Sequence, residues 1–224
     1  MFSFLFNPFF FIPMILVAWA QMRVRSAFNK YSQVASAAQL SGAETARRIL
    51  HQQRIYDVSV EETSRMLSDH YDPRAKAVRL SSDNFHGHHL AGLAVAAHEV
   101  GHAIQHAHGY VPLNLRHAIL PIANLGSSLS FPLIIAGMFF GATGLMDIGI
   151  MFFAGAVLFQ LVTLPVEFNA SSRAMAILSQ GYLANDEVRS ARRVLNAAAM
   201  TYVAAAATAV LQLVGFLLMR GSDE

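Results

Sequence analysis

Apolar residues gather in four blocks, Met1 to Met22, Ile119 to Phe140, Leu145 to Leu164 and Ala197 to Met219, in which Asp147 is the only charged residue. As a helix, each block of about 20 residues reaches about 30 Å, the thickness of a bilayer's hydrocarbon core. The polar residues fall between the blocks. Gly141-Ala142-Thr143-Gly144 links the second and third, so short a connection that an antiparallel helical hairpin follows. Pro121 and Pro132 would kink the second helix, and the alanine run Ala204 to Ala207 suits the fourth to close packing. In the first block, Ala18-Trp19-Ala20 resembles a small-residue cleavage site. However, no Lys or Arg precedes that block, and Arg23, Arg25 and Lys30 follow it, the reverse of a secretory signal. The expectation is an uncleaved anchor with its N-terminus outside.

The polar stretch from Val24 to Arg116 reads as mixed structure. Ser41-Gly42-Ala43-Glu44 has the spacing of a capping box at a helix start. Tyr56 to Val60 alternates like a strand, His70-Tyr71-Asp72-Pro73 reads as a turn, and Ala77 to Leu80 reads as a second strand that could offer an edge to an extended peptide. A long helix is expected from about His88 to His108, stopped by Gly109. Beyond the hairpin, one helix runs from Val166 to Gln180 before Gly181, and another from Asn185 to Leu195 carries Arg189, Arg192 and Arg193.

Composition points the same way. Of 224 residues 54% are hydrophobic and 13% charged, with a mean hydropathy of +0.41, whereas a soluble domain carries about a quarter charged residues. With no cysteine, disulfides and thiolate metal sites are excluded, and any metal must be held by His and carboxylate. The 14 Arg and two Lys form no dense basic block, so a nucleic-acid partner is not expected. They do fall on one side of the expected spans, which places the polar segment in the cytoplasm; Arg220 alone dissents.

Within the long helix stands His98-Glu99-Val100-Gly101-His102, an HExxH motif. Positions i and i+4 share a helix face, so both imidazoles can reach one Zn²⁺. Glu99 then lies beside the ion, placed to take a proton from water. The competing reading is two ordinary histidines on a buried helix. A catalytic zinc needs a third protein ligand. His106 lies about 12 Å from His98 along the helix, and His108 would need a glycine where Gln105 stands. His86, His88 and His89 read as loop or helix-start residues, and Asp186 and Glu187 as a solvated first turn. Asp147 sits near the far side of the hairpin, whereas Glu167 lies where the chain has crossed and returned. Its apolar flanks make an unpaired carboxylate costly. Parity and flanks favour Glu167 as the ligand over the alternative of an acidic helix start.

LSDHYDPRAKAVRLS from Leu67 to Ser81, with AAHEVGHAIQH, LVTLPVEFNASSRA and LNAAAMTYVAAA, closely resembles the bacterial neutral zinc metallopeptidases of the YugP type. The arrangement is also similar to HtpX-type membrane proteases. The resemblance implies that His98, His102 and Glu167 bind zinc and that Glu99 is catalytic. Relatives commonly carry Asp where this chain has Asn169, which implies a weaker support for the metal here, or one that uses Ser171.

The expected fold is a mainly α membrane protein of about four transmembrane helices with a small α+β zincin-like catalytic region around the HExxH helix. Its parts are an anchor (1–22), the catalytic region (23–117), a transmembrane hairpin (118–165), helices bearing the third ligand (166–196) and a last span (197–219). The expected function is a multi-pass zinc endopeptidase of the bacterial inner membrane, with one Zn²⁺ per chain and its site on the cytoplasmic side, acting on protein or peptide substrates. An oxyanion donor is open among Tyr71, His89 and an Arg. Two rivals remain: an intramembrane site-2-type protease using Asp147, and a non-catalytic scaffold with structural zinc.

Overall fold

The computed structural model describes residues 8–65 and 68–221; the first seven residues of the expected anchor and Leu67 lie outside the described residues. The chain is mainly helical and divides into two compact units. Among the described residues, one gathers 8–21, 114–165 and 201–221, and the other 22–65, 68–113 and 166–200. The elements are α1 (Pro8–Tyr31), α2 (Gly42–Gln52), β1 (Ser59–Thr63), β2 (His70–Asp72), β3 (Ala77–Ser81), α3 (Ser82–His86), α4 (Leu90–Ala107), α5 (Val111–Phe140), α6 (Thr143–Leu178) and α7 (Asn185–Gly221).

In the apolar unit, α5 and α6 pack through small residues: a Cβ added at Gly149 would lie 2.9 Å from the Ser130 carbonyl oxygen. Phe216 of α7 joins Phe153 and Phe10 in a ring cluster with centroids 5.3 Å apart. Outward side chains such as Ile122, Ile135, Phe139 and Met151 are mostly exposed and apolar, a surface suited to lipid. Among the described residues three helices, α5, α6 and α7, are long and apolar enough to cross a membrane. The fourth expected span is not among them. Its described apolar part, from Pro8 to Met22, would reach only about 22 Å as a helix before Arg23.

The polar unit holds a three-stranded sheet of order β1-β3-β2, with β1 parallel and β2 antiparallel to β3. The strand Ala77–Ser81 is therefore central, so the edge expected of it is already paired, and β1 and β2 form the edges. The expected turn at His70 is the strand β2 instead, and the turn follows it, where the Asp72 carboxylate accepts from the backbone N–H of Arg74 (2.9 Å) and Ala75 (3.1 Å). Val78 and Leu80 of β3 pack into one core with Leu90, Leu93, Ala97, Val100 and Ile104 of α4.

Helix α2 starts on the capping box read from its sequence: Glu44 N–H donates to Ser41 Oγ and Ser41 N–H to the Glu44 carboxylate. The cap of α4 is His89, whose Nδ1 accepts from Gly92 N–H at 2.9 Å. At the other end Gly109, with φ +60°, takes the chain out of the helix. Two breaks expected from the sequence are absent. Helix α6 runs unbroken through Pro165, and α7 joins the Arg-rich segment to the last apolar block. One proline removes one backbone bond, and the turns on either side carry the helix on.

Candidate metal centre

Within the polar unit, α4 and the Val166–Leu178 part of α6 meet along small residues. A Cβ placed on Gly101 would lie 2.7 Å from the Ala170 carbonyl oxygen, so only glycine permits this approach. Val166, Glu167, Ala170 and Ala174 all lie on the buried face of this segment of α6. That contact delivers the Glu167 carboxylate, only 2% exposed, to the two motif histidines.

Glu167 Oε2 lies 3.2 Å from His98 Nε2 and 3.5 Å from His102 Nε2, and the three donor atoms all lie within 4.8 Å of one another. Donors about 2.0–2.1 Å from a tetrahedral Zn²⁺ are separated by about 3.3–3.4 Å. The spacing of this His/His/Glu group fits a zinc ion. Its charge fits as well. Burial alone would push the His102 imidazolium below its ordinary pKa, but the hydrogen bond to Glu167 and the negative charges of Glu99 and Glu167 outweigh it, and the pKa is raised. A nest of carboxylates that draws a proton onto an imidazole attracts a cation.

The far nitrogens are held too. His102 Nδ1 lies 3.0 Å from Gln105 Oε1. The Gln105 amide nitrogen donates to the Val166 carbonyl (2.8 Å) and to Asn169 Oδ1 (2.9 Å), which fixes the amide's orientation. Its oxygen must then accept, so Nδ1 of His102 carries a proton, and Nε2 is the nitrogen that would be left to ligate an ion. Asn169 Oδ1 also accepts from Arg173 Nε at 2.7 Å. Ser171 Oγ lies 3.1 Å from His98 Nδ1. Gln105 was read from sequence only as a missing glycine. The signal that could have found it is a polar, uncharged residue three positions after a motif histidine, on the same helix face.

Glu99 is 8% exposed and follows His98 directly. The other named residues sit elsewhere. The Tyr71 hydroxyl meets His106 Nδ1 at 2.7 Å, one turn beyond His102; burial first, then Asp57 and Asp72, push its phenol up to about 12, so it keeps its proton. His89 is spent on the helix cap. In the apolar unit Asp147 pairs with Arg220 (Nε–Oδ1 3.0 Å), so the one cation that dissented from the charge pattern has a carboxylate partner.

An HExxH helix whose imidazoles share a donor cluster with a distant buried carboxylate is the arrangement of a zinc metallopeptidase. The chain belongs to the family described as "Putative neutral zinc metallopeptidase", whose family model matches residues 7–221. It is 48% identical over 209 residues, 92% of this chain and 93% of the relative, to the "Putative membrane protease YugP" of Bacillus subtilis (strain 168). No solved structure matches it.

Proposed function

We propose that the chain is a multi-pass zinc endopeptidase of the bacterial inner membrane, with Met1 to Met22 as a fourth span and its metal centre on the cytoplasmic side. Arg23, Arg25, Lys30, Arg173, Arg189, Arg192 and Arg193 all belong to the polar unit, which supports that orientation. His98, His102 and Glu167 would hold one Zn²⁺ per chain in a gluzincin-like set. An ion bound there supplies Lewis acidity, making a water more acidic and polarising the scissile carbonyl.

The chain's own residues do the rest. Glu99 takes the proton of the attacking water on its carboxylate and passes it to the leaving amine. Gln105 holds His102 in the tautomer that presents Nε2, and Ser171 steadies His98. The edge strand β2 is where an extended stretch of a membrane or membrane-proximal protein would add, with Tyr71 reaching from it to α4. The observation that carries this reading is the 3.2 and 3.5 Å spacing of the three donors.

The test is Glu99→Gln. Zinc content stays at one per chain, while cleavage of a membrane-protein substrate falls by about 10²–10⁴. Wild-type cleavage by a zinc-loaded Glu99→Gln protein would refute the base assignment. Full zinc content in a wild-type protein that cleaves nothing would favour the scaffold reading.

A further inference from the structure

We infer that the polar unit carries a binding site for the phosphate headgroup of an anionic phospholipid, in a groove of about 400 Å³ between the C-terminal half of α1 and the N-terminal half of α7. Arg23 and Lys30, seven residues apart, bring two cations to one face of α1, with Ser26 between them, and Arg193 and Asn196 line the groove from α7. No lining residue is acidic. The cations are organised rather than merely adjacent. Tyr31 is buried beneath them at 6% exposure. Its hydroxyl accepts from Arg193 Nη1 at 3.2 Å, and Lys30 Nζ stands 5.5 Å over its ring. A guanidinium held by a buried phenol, with an ammonium over the same ring, presents converging donors to one tetrahedral oxyanion.

Phosphate oxygens are shared by lipid headgroups and free phosphate, and two features select the lipid. Ala27, Ala197 and Met200 give the groove an apolar side beside its cations. Both helices also pass into the apolar unit close by, α1 between Gln21 and Met22 and α7 between Met200 and Thr201. Headgroups of a bilayer lie where apolar helix gives way to polar helix, and basic residues there attract anionic lipid. The site uses none of the metal-centre residues, so it stands whether or not the chain cleaves peptides.

The full-length protein in detergent is titrated with phosphatidylglycerol, phosphatidylcholine or inorganic phosphate, lipid binding being read by native mass spectrometry and phosphate by calorimetry. The expected result is one saturable phosphatidylglycerol per chain, phosphatidylcholine about tenfold weaker or worse, and no saturable binding of inorganic phosphate. Lys30→Gln with Arg193→Gln lowers phosphatidylglycerol affinity at least about tenfold, whereas Arg54→Gln with Arg74→Gln, exposed cations elsewhere on the unit, leaves it unchanged. Should the double variant fail to fold, as read by circular dichroism and gel filtration, Lys30→Gln alone is read instead, and a several-fold loss is expected. Equal losses in both pairs, an unchanged affinity in the groove variants, or displacement of the lipid by equimolar inorganic phosphate would each overturn the assignment.

Discussion

Gly101 and Ala170 are in backbone contact: a Cβ built on Gly101 would lie 2.7 Å from the Ala170 oxygen and 3.2 Å from its Cα. That contact sits between His98 and His102 on one helix and beside Glu167 on the other, so it sets how far the carboxylate stands from the imidazoles. The obstruction is backbone and has no flexible end to move aside. Gly101→Val should displace α6, cost about 1–3 kcal/mol of stability through overpacking, and weaken zinc binding about 10- to 100-fold. Zinc competition and thermal unfolding of the same preparation check both. Wild-type zinc affinity in Gly101→Val would show that the glycine does not govern the approach.

Gln105 links the two helices chemically as Gly101 does sterically. It accepts from His102 and donates to Val166 and Asn169. Gln105→Leu keeps the volume and removes all three bonds, so zinc affinity should fall about 10- to 100-fold with the fold retained. Asn169→Asp should retain zinc at wild-type level or better, because its oxygen can still accept from Gln105 and Arg173, the latter now as an ion pair. A zinc titration of both variants checks the pair, and weaker binding in Asn169→Asp would contradict the network.

The HExxH spacing and the apolar blocks were readable from the chain because each is a local, periodic signal. The start of α2 was readable for the same reason, since a capping box lies within four residues. What escaped depends on partners far along the chain. β2 is three residues long and exists only because it pairs with β3, so His70-Tyr71-Asp72 looked like part of a turn. His89 looked like a candidate donor because a histidine cap leaves no composition signal. A span ending at Leu164 and a separate helix from Val166 are expected from the sequence where one helix runs, because the packing that carries α6 through Pro165 is not local.

The β2–β3 turn should confer a pH dependence of its own. Backbone donation from Ala75, first, and then the Arg79 guanidinium hold the Asp72 carboxyl at about 2, below its ordinary value. A depressed folded-state pKa means that Asp72 contributes its full stability above about pH 4 and loses it as pH falls through 2. Denaturant unfolding of wild type and Asp72→Asn at a series of pH values should show a gap at neutral pH that closes toward pH 2. A gap that stays constant through that window would mean the carboxylate's charge is not what the turn uses.

The sharpest discrimination lies between two carboxylates on the same helix. Glu167 is 2% exposed and stands 3.2 Å from His98 Nε2, while Asp147, twenty residues earlier on α6, is paired with Arg220. Removing Glu167 takes away one of three donors and leaves the two imidazoles. Removing Asp147 breaks a partly exposed ion pair, which is worth at most about 1 kcal/mol. Glu167→Ala should therefore lose its zinc after dialysis while Asp147→Ala keeps one ion per chain. Metal analysis of the two proteins, purified side by side, is the measurement. Retention in Glu167→Ala with loss in Asp147→Ala would transfer the third ligand to the membrane hairpin and revive the intramembrane reading.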